Sequence, residues 1–114
     1  MRLLLSCAIA LLVCVNLLAQ TGKNVGLTWA DDLNPSSTTY NAYRAPGSCS
    51  GTPGFAKINV SPIALKTYTD PSVPVGVYCY RVTAVYETAE SAPSNSAGAL
   101  IPPESVTGLT VIVQ

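Results

Sequence analysis

The chain has no histidine among its 114 residues, and only 11% of them are charged, six basic against six acidic. Without imidazole there is no histidine base for proton transfer and no histidine ligand for zinc. Sparse, balanced charge supplies neither the basic patch that nucleic acid requires nor the like-charge block of a disordered interaction tail. No glycine-rich phosphate loop and no nucleophile motif occurs, and helical periodicity is missing beyond the first twenty residues. Catalysis would need an acid, a base or a nucleophile held in a cleft. The acids are Asp31, Asp32, Asp70, Glu87, Glu90 and Glu104, all in segments rich in turn residues or close to the C-terminus. The expectation is a protein that is not an enzyme and carries no cofactor.

Much of the 48% hydrophobic content lies in "MRLLLSCAIALLVCVNLLAQ". A basic start at Arg2, an apolar run from Leu3 to Val15 and small Ala19 before Gln20 have the layout of a secretory signal peptide over residues 1–19. The apolar core is shorter than the roughly 20 residues a membrane span needs. Leu17, at the −3 position, is not the usual small residue, which leaves retention as an anchor open. Val13 before Cys14 and the early position of Cys7 disfavour a lipid-modified cysteine. The expected location is secreted, periplasmic or cell surface, with no membrane contact beyond the export signal. A mature chain of this size buries one core with little to spare.

From Gln20 onward the apolar residues alternate. "NVGLTWA" places Val25, Leu27 and Trp29 on one face; "TTYNAYR" sets Tyr40 and Ala42 against Asn41 and Tyr43. "FAKINV" and "LKTYTD" are weaker. "VYCYRVTAVY" is the strongest, with Tyr78, Tyr80, Val82 and Ala84 on one side. Strict alternation of β-branched and aromatic residues between turn-rich segments such as "DDLNPSS" and "APGSCSGTPG" predicts half-buried strands. The runs predict strands near 24–30, 38–44, 55–59, 65–69, 76–86 and 94–101, with Trp29, Tyr40, Tyr80 and Val82 buried together. Short strands with turns at regular intervals suggest an all-β antiparallel sandwich.

"VGLTW", "YNAYR", "TYTDPSVPVGVYCYRVTAV" and "ESAPSN", in that order over residues 23–102, closely resemble a fibronectin type III domain of bacterial secreted proteins. The resemblance implies an immunoglobulin-like sandwich over 20–102, with Trp29 as the core tryptophan of strand B and Tyr40 as the inward tyrosine of strand C. It further implies that Tyr78 packs at the corner between strands E and F, its hydroxyl bonded to backbone near 70–75. In that topology the B–C and F–G loops share one pole, which would gather Asp31, Asp32, Glu87 and Glu90, a weak candidate set for a hard cation. The expected default is that they are solvated loop charges and that no metal is bound.

The mature chain has two cysteines, Cys49 and Cys79, and an even count in an exported protein points to a disulfide. If Tyr78 and Tyr80 face the core, Cys79 faces outward; Cys49, in the loop after strand C, then folds over the outer face to meet it. The expectation is a surface staple. One departure from the family stands out. Little sequence precedes "NVGLTW" to make a first strand A, while "PPESVTGLTVIVQ" (residues 103–114 with the proline before them) resembles the opening strand of another repeat. Three functional expectations follow: a non-catalytic extracellular binding, adhesion or spacer module with a protein or carbohydrate ligand; an assembly unit that self-associates through the C-terminal tail; or a piece of a larger multidomain surface protein.

Overall fold

The computed structural model describes residues 22–114, so the expected signal segment lies outside the described residues. The described chain has strands and no helix: β1 (Lys23–Thr28), β2 (Thr39–Pro46), β3 (Ala56–Lys57), β4 (Thr67–Val73), β5 (Gly76–Tyr86), β6 (Ala89–Glu90) and β7 (Ala97–Ile101). Strands β1 and β4 pair antiparallel as a two-stranded sheet; β3, β2, β5 and β6 follow one another in a second sheet, in which β7 also pairs with β5.

The alternation read from the sequence sets which side chains lie between the sheets. Register pairs Tyr40 with Ala84, Ala42 with Val82, Arg44 with Tyr80 and Pro46 with Tyr78, so these residues share one face of the larger sheet. Tyr40, Ala42 and Ile63 form the buried core, packed against Leu27, Trp29, Ile58, Tyr68, Val82 and Ala84. Trp29 and Tyr40 meet edge to face with centroids 5.3 Å apart, the geometry that sets the positive rim of one ring against the negative face of the other. Tyr40 and Tyr80 are buried as expected, whereas Trp29 and Val82 are only half-buried. The reason is a cleft between the sheets that opens along β1 beside both residues.

Side chains repeatedly stand in for backbone where strands stop. The predicted strand at 55–59 shrinks to two residues because the Asn59 carboxamide takes over: the Ala42 N–H donates to Asn59 Oδ1 at 2.8 Å and the Ile58 N–H to the Ala42 carbonyl at 2.9 Å. The predicted strand at 94–101 begins only at Ala97. Ahead of it Ser91 and Ser94 clamp β5: the Ala84 N–H donates to Ser91 Oγ (2.9 Å) and the Val82 N–H to Ser94 Oγ (3.0 Å). The two serine N–H groups bond back to the Ala84 and Val82 carbonyls, each at 2.8 Å. Pro93, which lacks an N–H, is thus spanned without loss of pairing along β5.

Strand β4 runs past the expected end at 69, through Pro71 to Val73. Lys23 pairs with Val73 and Val25 with Asp70, so Pro71 and Ser72 together oppose Asn24 in a bulge. Ser72 has φ 55°, and its N–H donates to Asn24 Oδ1 at 3.1 Å. As β4 pairs only with β1, proline costs no ladder bond on its open side.

Candidate functional site

Cys49 and Cys79 are joined in a disulfide, with Cα atoms 5.1 Å apart across 30 residues of sequence. Cys79 does point to the outer face, opposite to Tyr78 and Tyr80, and it pairs with Ala45 on β2 and Gly98 on β7. It is nevertheless 0% exposed. The expectation of a surface staple is corrected: the cross-strand neighbours of Cys79, Ala45 and Gly98, are small, and Cys79 is covered where it bonds to Cys49. A Cβ placed on Gly98 would sit 3.9 Å from Cys49 Sγ. The bridge is a second, small packed layer on the outside of the sheet.

The corner assignment also changes. The Tyr78 ring packs at the turn into β5, its hydroxyl 3.3 Å from where a side chain on Gly76 (φ 150°) would begin. Among the described residues, however, that hydroxyl has no hydrogen-bond partner. Tyr80 makes the bond instead, donating to Asp70 Oδ2 at 2.7 Å. Arg44 Nη1 reaches the same oxygen at 2.7 Å, and its guanidinium lies 5.4 Å from the Tyr78 ring centroid. Asp70 sits on β4 while Arg44 and Tyr80 sit side by side on the facing sheet, so one buried carboxylate pins the two layers together. Burial, and then the bond to Asp70, pushes the Tyr80 phenol well above the ordinary tyrosine range.

At the end where β1 leads into β2, a cavity of about 180 Å³ is lined by Trp29, Asp31, Asn34, Tyr40 and the Ser91–Ser94 segment. The four loop acids are not gathered into a cation site. Asp31 accepts from Asn34 Nδ2 (2.9 Å), the Asn34 N–H (3.1 Å) and the Tyr40 hydroxyl (2.7 Å). The Asn34 side chain foremost, and then Tyr40, hold its carboxyl down at about 2. Glu90 is spent on the outer face of the larger sheet, accepting from the hydroxyls of Thr83 and Tyr43 and from Asn41 Nδ2; these bonds lower its pKa in that order. Asp32 and Glu87 are exposed. Among the described residues no group of three or more His, Cys, Asp or Glu is placed to hold a metal ion.

A cleft of about 480 Å³ opens between the sheets, lined by Leu27, Trp29, Tyr80, Val82, Asn95 and Ala97 among others. It lies along β1, whose second edge has no strand partner among the described residues. Trp29 donates its backbone N–H to Lys66 O at 3.1 Å, so its polar groups face β4. Alternation then turns the N–H and C=O of Gly26 and Thr28 toward the open edge. Inside the sandwich, Trp29 Nε1 is buried with no acceptor, a group that costs about 1–3 kcal/mol when left so.

The C-terminal segment from Pro102 onward carries neither strand nor helix, and Val106, Leu109, Val111, Ile112 and Val113 are all largely exposed. Its first residues return toward β1, where Glu104 pairs with Lys23 at 3.0 Å. The Asp70 pin, the serine clamps and the Asn59 substitution were missed from sequence; only the placement of Asp, Ser and Asn beside strong strand runs hinted at them. Comparison with protein-family models and with the sequences of curated proteins returned no match.

Proposed function

We propose that this chain is a non-catalytic extracellular module of fibronectin type III kind, used for binding, adhesion or spacing. The observation that carries the reading is the pairing order. Strand β1 pairs with β4, and β2 lies between β3 and β5 with β7 beyond β5; immunoglobulin-like sandwiches in general place strands B and E in one sheet and C, F and G in the other. The disulfide supports an oxidising compartment, where such bonds form and persist. A non-catalytic role is supported by how the polar groups are used: Asp31, Asp70 and Glu90 each accept bonds that hold strands or turns in place. The loops around the cavity at the Trp29–Tyr40 end are the natural place for a protein or carbohydrate ligand.

The test begins with the exported protein. Its N-terminus and its mass before and after reduction are determined, and it is then sedimented with insoluble polysaccharides and captured on immobilised matrix proteins, with sugar or peptide release followed in the same samples. The expected result is a processed, disulfide-bonded protein that is retained by a ligand and releases no product. Release of product overturns the non-catalytic reading; an unprocessed, reduced protein in the cytoplasm overturns the extracellular one.

A further inference from the structure

We infer that the open edge of β1 is an acceptor for the C-terminal segment of a second copy of this chain, residues 106–113 adding a strand antiparallel to β1 and closing the cleft. The inference rests on the sandwich and its unpaired parts, and stands independently of the fibronectin reading.

Two incomplete features in one molecule fit each other. The acceptor has the outward backbone groups of Gly26 and Thr28 and a cleft floored by half-buried Leu27, Trp29 and Val82. An incoming strand supplies backbone partners to the edge and apolar side chains to the cleft. The donor is "VTGLTVIV", in which Leu109, Val111 and Val113 alternate onto one face. Eight extended residues reach about 26 Å, enough to run the length of β1.

Two of the other edges are less receptive. Strand β4 is guarded by the bulge at Pro71 and Ser72, and β3 offers only two residues.

The donor cannot come from the same chain in this sense. Strand β7 ends at Ile101, opposite Gly76, and Glu104 reaches Lys23, so the segment arrives at the starting end of β1. To run antiparallel it would have to begin at the Trp29 end. Residues 102–105 span only about 13 Å, against about 20 Å for the six residues of β1. A second copy has no such restriction. As donor and acceptor are different surfaces, each copy gives to one neighbour and receives from another, and the contact propagates head to tail.

The experiment is light scattering of the chain from Gln20 to Gln114 over a wide concentration range, beside Val111→Asp in the same chain and a form lacking residues 103–114. Val111 is 83% exposed in the single chain, so its substitution leaves the sandwich intact, which circular dichroism checks. Amide hydrogen exchange at Gly26 and Thr28 is read on each form. The expected result is assemblies of two or more chains that grow with concentration, with slowed exchange at Gly26 and Thr28. Val111→Asp and the shortened form should both be monomeric, with those amides exchanging freely. A full chain that stays monomeric at high concentration overturns the inference. So does assembly that survives Val111→Asp, or that slows exchange on β7 and leaves Gly26 and Thr28 unprotected.

Discussion

Removing the disulfide by Cys49→Ala/Cys79→Ala should cost this domain a large part of its stability, and the size of the loss follows from the loop it closes. The bridge spans 30 residues; the loop-closure relation gives an unfolded-state entropy loss of about 12 cal/mol/K, or about 3.6 kcal/mol at 25 °C. Cys79 is fully buried, so truncation also removes buried sulfur packing and adds to that figure. Domains of this size hold about 5–15 kcal/mol in total, which leaves the variant near the threshold of folding. Urea unfolding followed by Trp29 fluorescence measures it. The expected outcome is a midpoint far below the parent's together with a steeper slope, because an uncrosslinked unfolded chain exposes more surface. A loss under about 2 kcal/mol would refute the reasoning; it would mean that the unfolded chain already keeps the 49–79 segment compact.

Tyr80→Phe should cost about 1.5–3 kcal/mol, since it withdraws a donor from the buried Asp70 carboxylate, while Tyr78→Phe should leave the urea midpoint unchanged. Ser94→Ala strips the Val82 N–H of its acceptor and should cost about 1 kcal/mol, read in the same assay and accompanied by faster Val82 amide exchange. Asp31 contributes stability that is full above its ordinary value of 3.8, fades as pH falls, and is gone below about 2. Comparing the parent with Asp31→Asn across that window by thermal unfolding should show the steeper acid loss in the parent. Gly98→Ala meets Cys49 Sγ only at ordinary contact distance and should stabilise by about 0.5 kcal/mol through the unfolded chain, measured as a small rise in melting temperature.

The strand from Gly76 to Tyr86 was legible to the residue because its alternation is unbroken and both of its faces are covered, one by the core and one by the Cys49 loop and Glu90. The cysteine pair was legible for a different reason: two thiols remain once the segment read as a signal peptide is set aside. The depth of Cys79 was not, because alternation tells which face a residue takes and not what lies on that face. Asp70 was read as a turn residue beside Pro71. What places it in a strand is a bulge opposite Asn24 and an arginine 26 positions earlier, and neither has a local signature. The ends of the sheets escaped for the same reason: Asn59, Ser91 and Ser94 look like loop residues until a β-strand edge is placed beside them. At the candidate site, Trp29 was rightly placed on the inward face, but its half-exposure reflects a missing neighbour, which no single strand encodes.

The position of the disulfide along the chain has a mechanical consequence. Tension applied through the two termini pulls on β1 at one end and β7 at the other, and both lie outside the 49–79 segment. The oxidised bond passes force directly from residue 49 to residue 79, so the segment between them, a sequence separation of 30, stays slack however far the rest extends. At about 3.5 Å per residue, about 100 Å of contour is withheld. A reducing milieu would release that length in one step, so that the same domain is a short tether when oxidised and a long one when reduced.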